Sequence, residues 1–255
     1  MKLTIIGGGN MGSAIAKGLT KSQNDNLKVA LSDPSFAKNK PDLDASVEIF
    51  SNNLLALNGA DAVLFAVKPW VLPIVAEELK GCDLPDIIIS IVAGNGTERL
   101  SDLFGEDKQI FYVIPNTAII NGKGMSFITP RNASQENIEL IKSLFAQLGE
   151  ATVIEERLMG AATALSSCGI AYAYKYIQAC VQAGVQLGFK PEEAQRYAVA
   201  TVEGAMSMLH SNETSPQKEI DRVTTPGGMT IRGINKLEET GFVSSVIQSI
   251  IEPLK

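Results

Sequence analysis

Histidine and cysteine are scarce in this chain, which limits the chemistry that its side chains can perform. His210 is the only histidine, so the sequence excludes a multi-histidine metal site and allows a Ser-His-Asp triad only around that residue. The three cysteines, Cys82, Cys168 and Cys180, form no C-x-x-C pair and are odd in number. This pattern indicates reduced structural thiols, and we expect no metal site.

Basic residues are also fewer than acidic residues. The 22 Lys and Arg residues face 28 Asp and Glu residues, which gives a formal net charge of −6 at pH 7. Without a basic tract, this balance argues against nucleic acid as the main partner. The first apolar segment starts at Leu3 and leaves no room for a signal peptide before it, so we expect a cytoplasmic protein.

Glycine is concentrated at one informative place near the N-terminus. The apolar segment Leu3–Ile6 predicts a strand, and Gly7, Gly9 and Gly12 follow in the spacing G-x-G-x-x-G before a predicted helix that starts near Met11. In a dinucleotide-binding turn these glycines permit the sharp turn, the approach of a pyrophosphate and close packing of helix on sheet. The helix N-terminus then holds the phosphates. An ordinary strand-to-helix turn is the alternative.

An acidic residue follows the second predicted strand at the distance that a dinucleotide site requires. The apolar segment Leu27–Leu31 leads to Asp33, which lies 21 residues beyond Gly12. Such a carboxylate usually binds the ribose 2′-hydroxyl of NAD and repels the 2′-phosphate of NADP. If it points away, four nearby side chains could cradle that phosphate instead: Ser32, Ser35, Lys38 and Lys40. The sequence leaves the choice between NAD and NADP open.

Further strands and helices alternate up to about residue 154. The near-continuous apolar segments Ala62–Val67 and Ile87–Val92 are typical of parallel strands that helices cover on both faces. Lys68 and Ala93 follow these strands, at the edge of the sheet where ligands bind, although Lys68 has the alternative of a solvated loop lysine. The remaining predicted elements are strands Ile110–Ile114, Gly124–Thr129 and Ala151–Ile154, and helices Pro73–Leu79, Glu98–Phe104 capped by Thr97, and Gln135–Leu148.

The alternation stops near Glu155, where we place the boundary between domains 1–154 and 155–255. The segment Glu155–Gly188 is apolar on nearly all faces and has no proline, which predicts a helix that is buried on every side or crosses a membrane. Lys175 and three later glutamines weaken the membrane interpretation. We therefore expect an all-α second domain whose central helix also packs on a second subunit, as in a homodimer or a larger oligomer.

A second informative stretch, Val223–Glu238, reads VTTPGGMTIRGINKLE. Its threonines, proline and paired glycines predict a tight loop that opens onto a helix beginning about Met229. Free N–H groups there would receive a small anion such as a carboxylate. A capped helix start after a proline turn is the alternative.

These motifs together resemble the pyrroline-5-carboxylate reductase family, almost from end to end. Five segments stand in the family's order: IGGGNMGSA at 6–14, AVKP at 66–69, SIVAG at 90–94, PNT at 115–117 and VTTPGGMT at 223–230. The resemblance implies a Rossmann-type dinucleotide-binding domain followed by an all-α dimerisation domain. It also implies reduction of the cyclic imine 1-pyrroline-5-carboxylate to proline with NADH or NADPH, the last step of proline biosynthesis.

The resemblance assigns residues to each part of the site. Thr230 would hydrogen-bond the substrate ring nitrogen as the catalytic residue. The cofactor would contact Gly7, Gly9, Asn10, Met11, Gly12, Ser32, Asp33, Ala66, Val67, Lys68 and Ala93. The substrate would lie against Glu213, Val223, Gly227, Gly228, Met229 and Thr230.

Several positions depart from the family's usual pattern. Tyr112 replaces a common arginine, Met229 a threonine or alanine, and Arg232 a small residue, while Ala118 replaces a proline and Ser167–Ile170 reads SCGI in place of GSGP. These changes leave a related imine open as the substrate. A β-hydroxyacid dehydrogenase is a weaker alternative, because it needs an asparagine four residues after its catalytic lysine and Ala179 follows Lys175. A non-catalytic dinucleotide-binding protein is a third possibility.

Overall fold

The protein is described by a computed structural model covering residues 1–21, 26–39, 41–212 and 214–254. The chain divides into two compact units, Met1–Ser167 and Cys168–Lys255. The first contains an eight-stranded sheet with helices, and the described residues of the second form helices and their connections. The predicted fold class, a Rossmann-type α/β domain followed by an all-α domain, is confirmed.

The strands of the first unit form a single sheet. They are β1 Lys2–Ile6, β2 Lys28–Ser32, β3 Val47–Phe50, β4 Ala62–Phe65, β5 Ile87–Ser90, β6 Gln109–Pro115, β7 Gly124–Arg131 and β8 Gly149–Val153. Their order across the sheet is β3-β2-β1-β4-β5-β6-β7-β8. The first six run parallel, β7 is antiparallel to β6, and β8 is parallel to β7. The carboxyl ends of β1, β2 and β4 therefore meet at one edge.

Helices cover both faces of this sheet because successive strand residues point to opposite sides. Ile5 packs in a buried cluster with residues of helices Asn10–Lys21 and Gln135–Ala146, whereas Ile6 packs in a second cluster with residues of helices Leu72–Glu78 and Thr97–Phe104. This two-sided burial explains the near-continuous apolar strands. The helices of the first unit are α1 Asn10–Lys21, α2 Asn53–Leu57, α3 Leu72–Glu78, α4 Thr97–Phe104, α5 Gln135–Ala146 and α6 Met159–Ala162, with 3-10 turns at Pro34–Ala37, Thr117–Asn121 and Glu156–Leu158.

The second unit is built from five α-helices within its described residues. They are α7 Gly169–Gln186, α8 Pro191–Asn212, α9 Pro216–Val223, α10 Met229–Glu239 and α11 Phe242–Ile251. The Tyr172 hydroxyl donates a hydrogen bond to the Ser249 carbonyl oxygen at 2.7 Å, which ties α7 to α11. Gly184 lets α8 approach α7, because a Cβ atom there would lie 2.8 Å from the Ala194 Cβ.

The predicted single helix over Glu155–Gly188 is wrong. This stretch contains a 3-10 turn, the short α6, a π-helical turn at Thr163–Ser167 and then a new helix, α7. Its first half follows the sheet instead of the helical unit: Met159 is buried in the second cluster. Ser167 donates a hydrogen bond to the Pro115 carbonyl oxygen at 3.4 Å. The compact first unit thus extends through Ser167, 13 residues past the predicted boundary at 154.

Two local expectations are also corrected. Thr97 does not cap α4 but is its first residue, because Gly96 occupies the capping position. In α7 no residue is buried within one chain, so the expected complete burial is absent from the described chain. Among the described residues, no helix has the length and apolarity needed to cross a membrane.

Candidate active site

The turn between β1 and α1 has the tight backbone that its glycines predict. Gly7 has a φ of 111°, and its N–H donates to the Ser32 carbonyl oxygen at 2.8 Å. A Cβ on Gly7 would lie 2.7 Å from the backbone carbonyl of Ala66, and one on Gly12 would contact the Gly7 carbonyl oxygen. At Gly9 the same atom would meet open space. The turn is therefore closed towards the sheet and open where a phosphate would approach.

A cavity of about 470 Å³ opens over this turn at the carboxyl edge of the sheet. It is lined by most of the predicted cofactor residues, namely Gly7, Gly9, Asn10, Met11, Asp33, Ala66, Val67 and Lys68. Three residues that the sequence did not single out for the cofactor complete it: Val71, Ile91 and Thr117. This cavity is thus bordered by the glycine turn, the ends of three strands and the start of the 3-10 turn after Asn116.

The remaining predicted cofactor residues do not line this cavity. Gly12 is buried where α1 packs on the turn, and Ala93 follows β5 outside the cavity lining. Ser32 is fully buried, and its hydroxyl donates to the Asn53 side-chain oxygen at 2.8 Å. Asn53 in turn donates to Glu78 at 3.1 Å. The Ser32 side chain therefore links β2 to Asn53 at the start of α2 and does not line the cavity.

Asp33 presents its carboxylate beside the turn. One oxygen accepts the Gly8 N–H at 2.8 Å and the other accepts the Ser35 N–H at 2.9 Å. Burial raises the pKa of Asp33, but the hydrogen bonds from Ser35 and Gly8 outweigh it and bring the pKa below its ordinary value. The carboxylate is thus ionised and held in place at neutral pH.

Tyr112, Glu156 and Thr97 surround the loop that follows β5. Burial raises the pKa of Tyr112, although a hydrogen bond from the Gly94 backbone acts in the opposite direction. The Glu156 carboxylate accepts the Thr97 N–H at 2.7 Å and also the Thr97 hydroxyl. Because Thr97 begins α4, a negative charge at this helix end is favourable. These contacts hold the loop that carries Ala93.

Asn116 fixes the adjoining Pro-Asn-Thr turn. Its side-chain oxygen accepts the N–H groups of Ala118 and Met125, at 3.2 and 3.3 Å, and its amide donates to the Ser166 hydroxyl at 3.1 Å. A buried amide with three satisfied bonds holds one conformation. Thr117 is thereby placed at the cavity.

The predicted substrate loop lies wholly in the second unit. Val223 ends α9, Gly227 has a φ of 72°, and Gly228 precedes α10, which begins at Met229 as predicted. The Gly228 N–H donates to the Thr225 carbonyl oxygen at 3.0 Å, so this N–H is not free. The N–H groups of the first turn of α10 have no acceptor within the helix.

The two side chains at the start of α10 are exposed within one chain. Met229 has 81% of its surface exposed, and Thr230 is also exposed. Gly228 occupies the capping position of α10 and has no side chain that could accept a hydrogen bond from the helix. Glu213, the other predicted substrate residue, lies outside the described residues.

Comparison with known proteins places this geometry in a family. Pyrroline-5-carboxylate reductase from Aquifex aeolicus is 36% identical to this chain over 98% of its length and 94% of that protein. The chain belongs to the pyrroline-5-carboxylate reductase family. Its relative from Synechocystis is 32% identical over 98% of this chain and 94% of that protein.

Further comparisons agree with this membership. The family described as pyrroline-5-carboxylate reductase dimerisation matches residues 156–254, and the one described as NADP oxidoreductase, coenzyme F420-dependent, matches residues 2–94. A solved reductase from Coxiella burnetii has a TM-score of 0.88 at 28% identity, covering 98% of this chain and 95% of that one. The reductase from Plasmodium falciparum, solved with NADP bound, gives 0.86 at 27%, covering 99% and 95%.

Proposed function

We propose that this reductase converts 1-pyrroline-5-carboxylate to L-proline by hydride transfer from NADH or NADPH. The observation that carries the proposal is the cavity over the glycine turn, lined by predicted cofactor residues in a chain of this family. The backbone fits a dinucleotide, because glycine at positions 7, 9 and 12 leaves the space that side chains would fill.

For the cofactor, we assign binding to the predicted residues that share the cavity. The N–H groups at the start of α1, near Asn10 and Met11, would bind the pyrophosphate, and Asp33 the adenosine ribose. Lys68 adds a positive charge on the same rim. Gly12 and Ser32 act indirectly in this proposal, by packing α1 and β2, and Ala93 would approach the nicotinamide end.

For the substrate, we assign the carboxylate to the free N–H groups in the first turn of α10. Gly227 and Gly228 shape that turn, while Val223 and Met229 supply apolar contact to the ring. Glu213 and Arg232 are the charged groups of this region that would influence the imine and its acid group.

The reaction itself makes few demands on the protein. A dinucleotide held by the residues around the glycine turn would supply a hydride, with both electrons of the new C–H bond, and the C=N π electrons of the substrate would pass to its nitrogen. The nitrogen enters the reaction protonated. The Thr230 hydroxyl would hydrogen-bond that nitrogen and orient the substrate ring. No metal or covalent nucleophile is required, which agrees with the scarcity of histidine and cysteine.

We further propose that the protein works as a homodimer, since it carries the family's dimerisation segment. The unburied apolar helix α7 supports this proposal. A cytoplasmic location remains the expectation from the sequence.

The test is direct. Purified protein is mixed with 1-pyrroline-5-carboxylate and either NADH or NADPH, and loss of absorbance at the dihydronicotinamide band is followed while proline is quantified. We expect stoichiometric proline formation with at least one cofactor. Cofactor binding without turnover of this imine would favour the non-catalytic alternative. Turnover of a different cyclic imine would instead show that the substrate differs from that of the family. We would then attribute the difference to the positions that depart from the family's pattern, namely Tyr112, Cys168, Ile170, Met229 and Arg232.

A Thr230→Val variant tests the proposed catalytic residue. Removing a hydrogen bond made in the transition state costs a factor of about 10² or more in kcat, and valine keeps the shape of threonine. The matched control is Thr240→Val at the residue that follows the far end of the same helix, where the hydroxyl donates to backbone carbonyl oxygens of α10. Full turnover in Thr230→Val would remove Thr230 from the mechanism.

A further inference from the structure

The Asp33 carboxylate occupies two backbone N–H donors beside the end of β2. In a dinucleotide site the group at the end of β2 faces the adenosine ribose, where NADP carries its extra phosphate. Here the N–H groups of Gly8 and Ser35 already donate to Asp33 at 2.8 and 2.9 Å. An incoming phosphate would therefore find both donors satisfied by a resident anion.

Asp33 is packed against the glycine turn through its Cβ, and hydrogen bonds hold its carboxylate. The Phe36 ring is buried and lies directly against Gly8, so that a Cβ on Gly8 would overlap the ring. The same Cβ would come within 2.9 Å of the Asp33 Cβ. Gly8, Asp33 and Phe36 thus form one packed group, and within it the Asp33 carboxylate is held by its two backbone hydrogen bonds.

No described cation offsets this charge. Among the ion pairs between described residues, none involves Asp33. Lys38 is exposed at the end of the 3-10 turn Pro34–Ala37, and Lys40 lies outside the described residues. A ribose 2′-hydroxyl, by contrast, is neutral and donates to a carboxylate, whose oxygens each have a further lone pair.

We infer that this reductase selects NADH over NADPH, with Asp33 as the residue that determines the specificity. The inference rests on the proposed function only in taking the cavity over the glycine turn as the cofactor site. NADH gains a hydrogen bond from its 2′-hydroxyl to Asp33. NADPH brings a doubly charged group against a carboxylate and must also displace it from the two N–H groups that donate to it.

Binding measurements on the full-length protein test this inference independently of catalysis. We expect calorimetric titration to give a Kd for NADH at least about tenfold lower than for NADPH, a difference of ~1.4 kcal/mol. The fragments 5′-AMP and 2′-phospho-AMP isolate the ribose end and should show the same preference. Equal or tighter binding of NADPH would overturn the inference, whether or not the protein reduces 1-pyrroline-5-carboxylate.

The Asp33→Asn variant tests the residue itself. It removes the charge at nearly constant shape, so NADPH should bind more tightly, NADH more weakly, and the ratio of the two Kd values should fall towards one. Asp44→Asn is the matched control, because Asp44 makes the same kind of contact with the Ser46 N–H, at 2.9 Å, but does not line the cavity. An unchanged ratio in folded Asp33→Asn would refute the role of Asp33. If that variant does not fold, the ratios measured for the natural chain still decide the cofactor preference.

Discussion

The glycines in the turn between β1 and α1 have different surroundings. A methyl group added at each position would therefore have different effects. Gly12 faces the Gly7 carbonyl oxygen across a closed contact, whereas Gly9 faces open space in the cavity. Both belong to the same G-x-G-x-x-G motif. The motif thus combines a position required by the fold with one that the ligand requires.

Alanine substitutions should separate these two requirements. Gly12→Ala forces a methyl group against backbone and should lower the free energy of unfolding by about 1–3 kcal/mol. Gly9→Ala should leave stability nearly unchanged but weaken cofactor binding, because its methyl group enters the cavity. Denaturant unfolding and calorimetric titration of both variants provide the measurement. Equal stability losses in the two would contradict the difference in their surroundings.

Tyr112 makes stability depend on pH in the alkaline range. Burial raises the pKa of its phenol in the folded protein, so the unfolded chain loses this proton first as pH rises. Stability that is present below pH ~10 is then lost above it. We expect the melting temperature of Tyr112→Phe to fall less steeply between pH 9.5 and 11, about the tyrosine pKa, than that of the natural chain. The same slope in both would show that Tyr112 is not the group responsible.

At the scale of elements, α4 depends on a carboxylate from a distant part of the chain. Glu156 accepts both the N–H and the hydroxyl of Thr97 at the first residue of the helix. The sequence pattern predicts Thr97 at this helix end, but as the cap and not as the first helical residue that it is. The true partner is 59 residues away, and no local pattern indicates a contact of that kind.

Glu156→Gln should therefore destabilise the first unit by about 1 kcal/mol, because a neutral amide loses the charge-assisted bond and the interaction with the helix dipole. Glu155→Gln is the matched control: Glu155 pairs in solvent with Arg157, and its loss should change stability by less than about 0.5 kcal/mol. Chemical denaturation at low and high salt gives both values. A Glu155→Gln effect equal to that of Glu156→Gln would assign the loss to general surface charge.

The elements that sequence predicted well are those whose signal is local. The glycine turn, the apolar strands β4 and β5, and the start of α10 at Met229 all follow from neighbouring residues. The short edge strand Val47–Phe50 was missed because exposed Glu48 interrupts its apolar character. The side chain of Ser32 was misplaced for a different reason, since its partner Asn53 is brought near only by the sheet.

At the scale of the whole molecule, the second unit leaves a large apolar surface uncovered within one chain. Val243, Val246 and Ile247 of α11 are all exposed. Exposed apolar surface of this kind usually marks an interface. The groove between α7 and α11 is lined by Tyr172, Tyr176 and Phe242. This distribution agrees with the dimerisation segment of the family.

A charge placed on that surface should weaken the proposed dimer. We expect Ile247→Lys to raise the dimer dissociation constant by a factor of about 10 or more, because an apolar side chain of this size contributes ~1.5–3 kcal/mol when buried. Gln248→Lys, at the next residue of α11, adds the same charge to a position that is already polar. Sedimentation velocity over a concentration series compares the two. A dimer unaffected by Ile247→Lys would place the interface elsewhere.

The strand order of the sheet also has a consequence for biosynthesis. After β1 and β2 pair, β3 joins the outer side of β2, β4 joins the free side of β1, and each later strand lies beside the one before it. A nascent sheet is thus contiguous at every stage of translation, and no strand has to wait for a partner made much later. As each new strand leaves the ribosome, it can pair with a strand that is already part of the sheet. This limits the time for which an unpaired apolar segment is exposed and can aggregate.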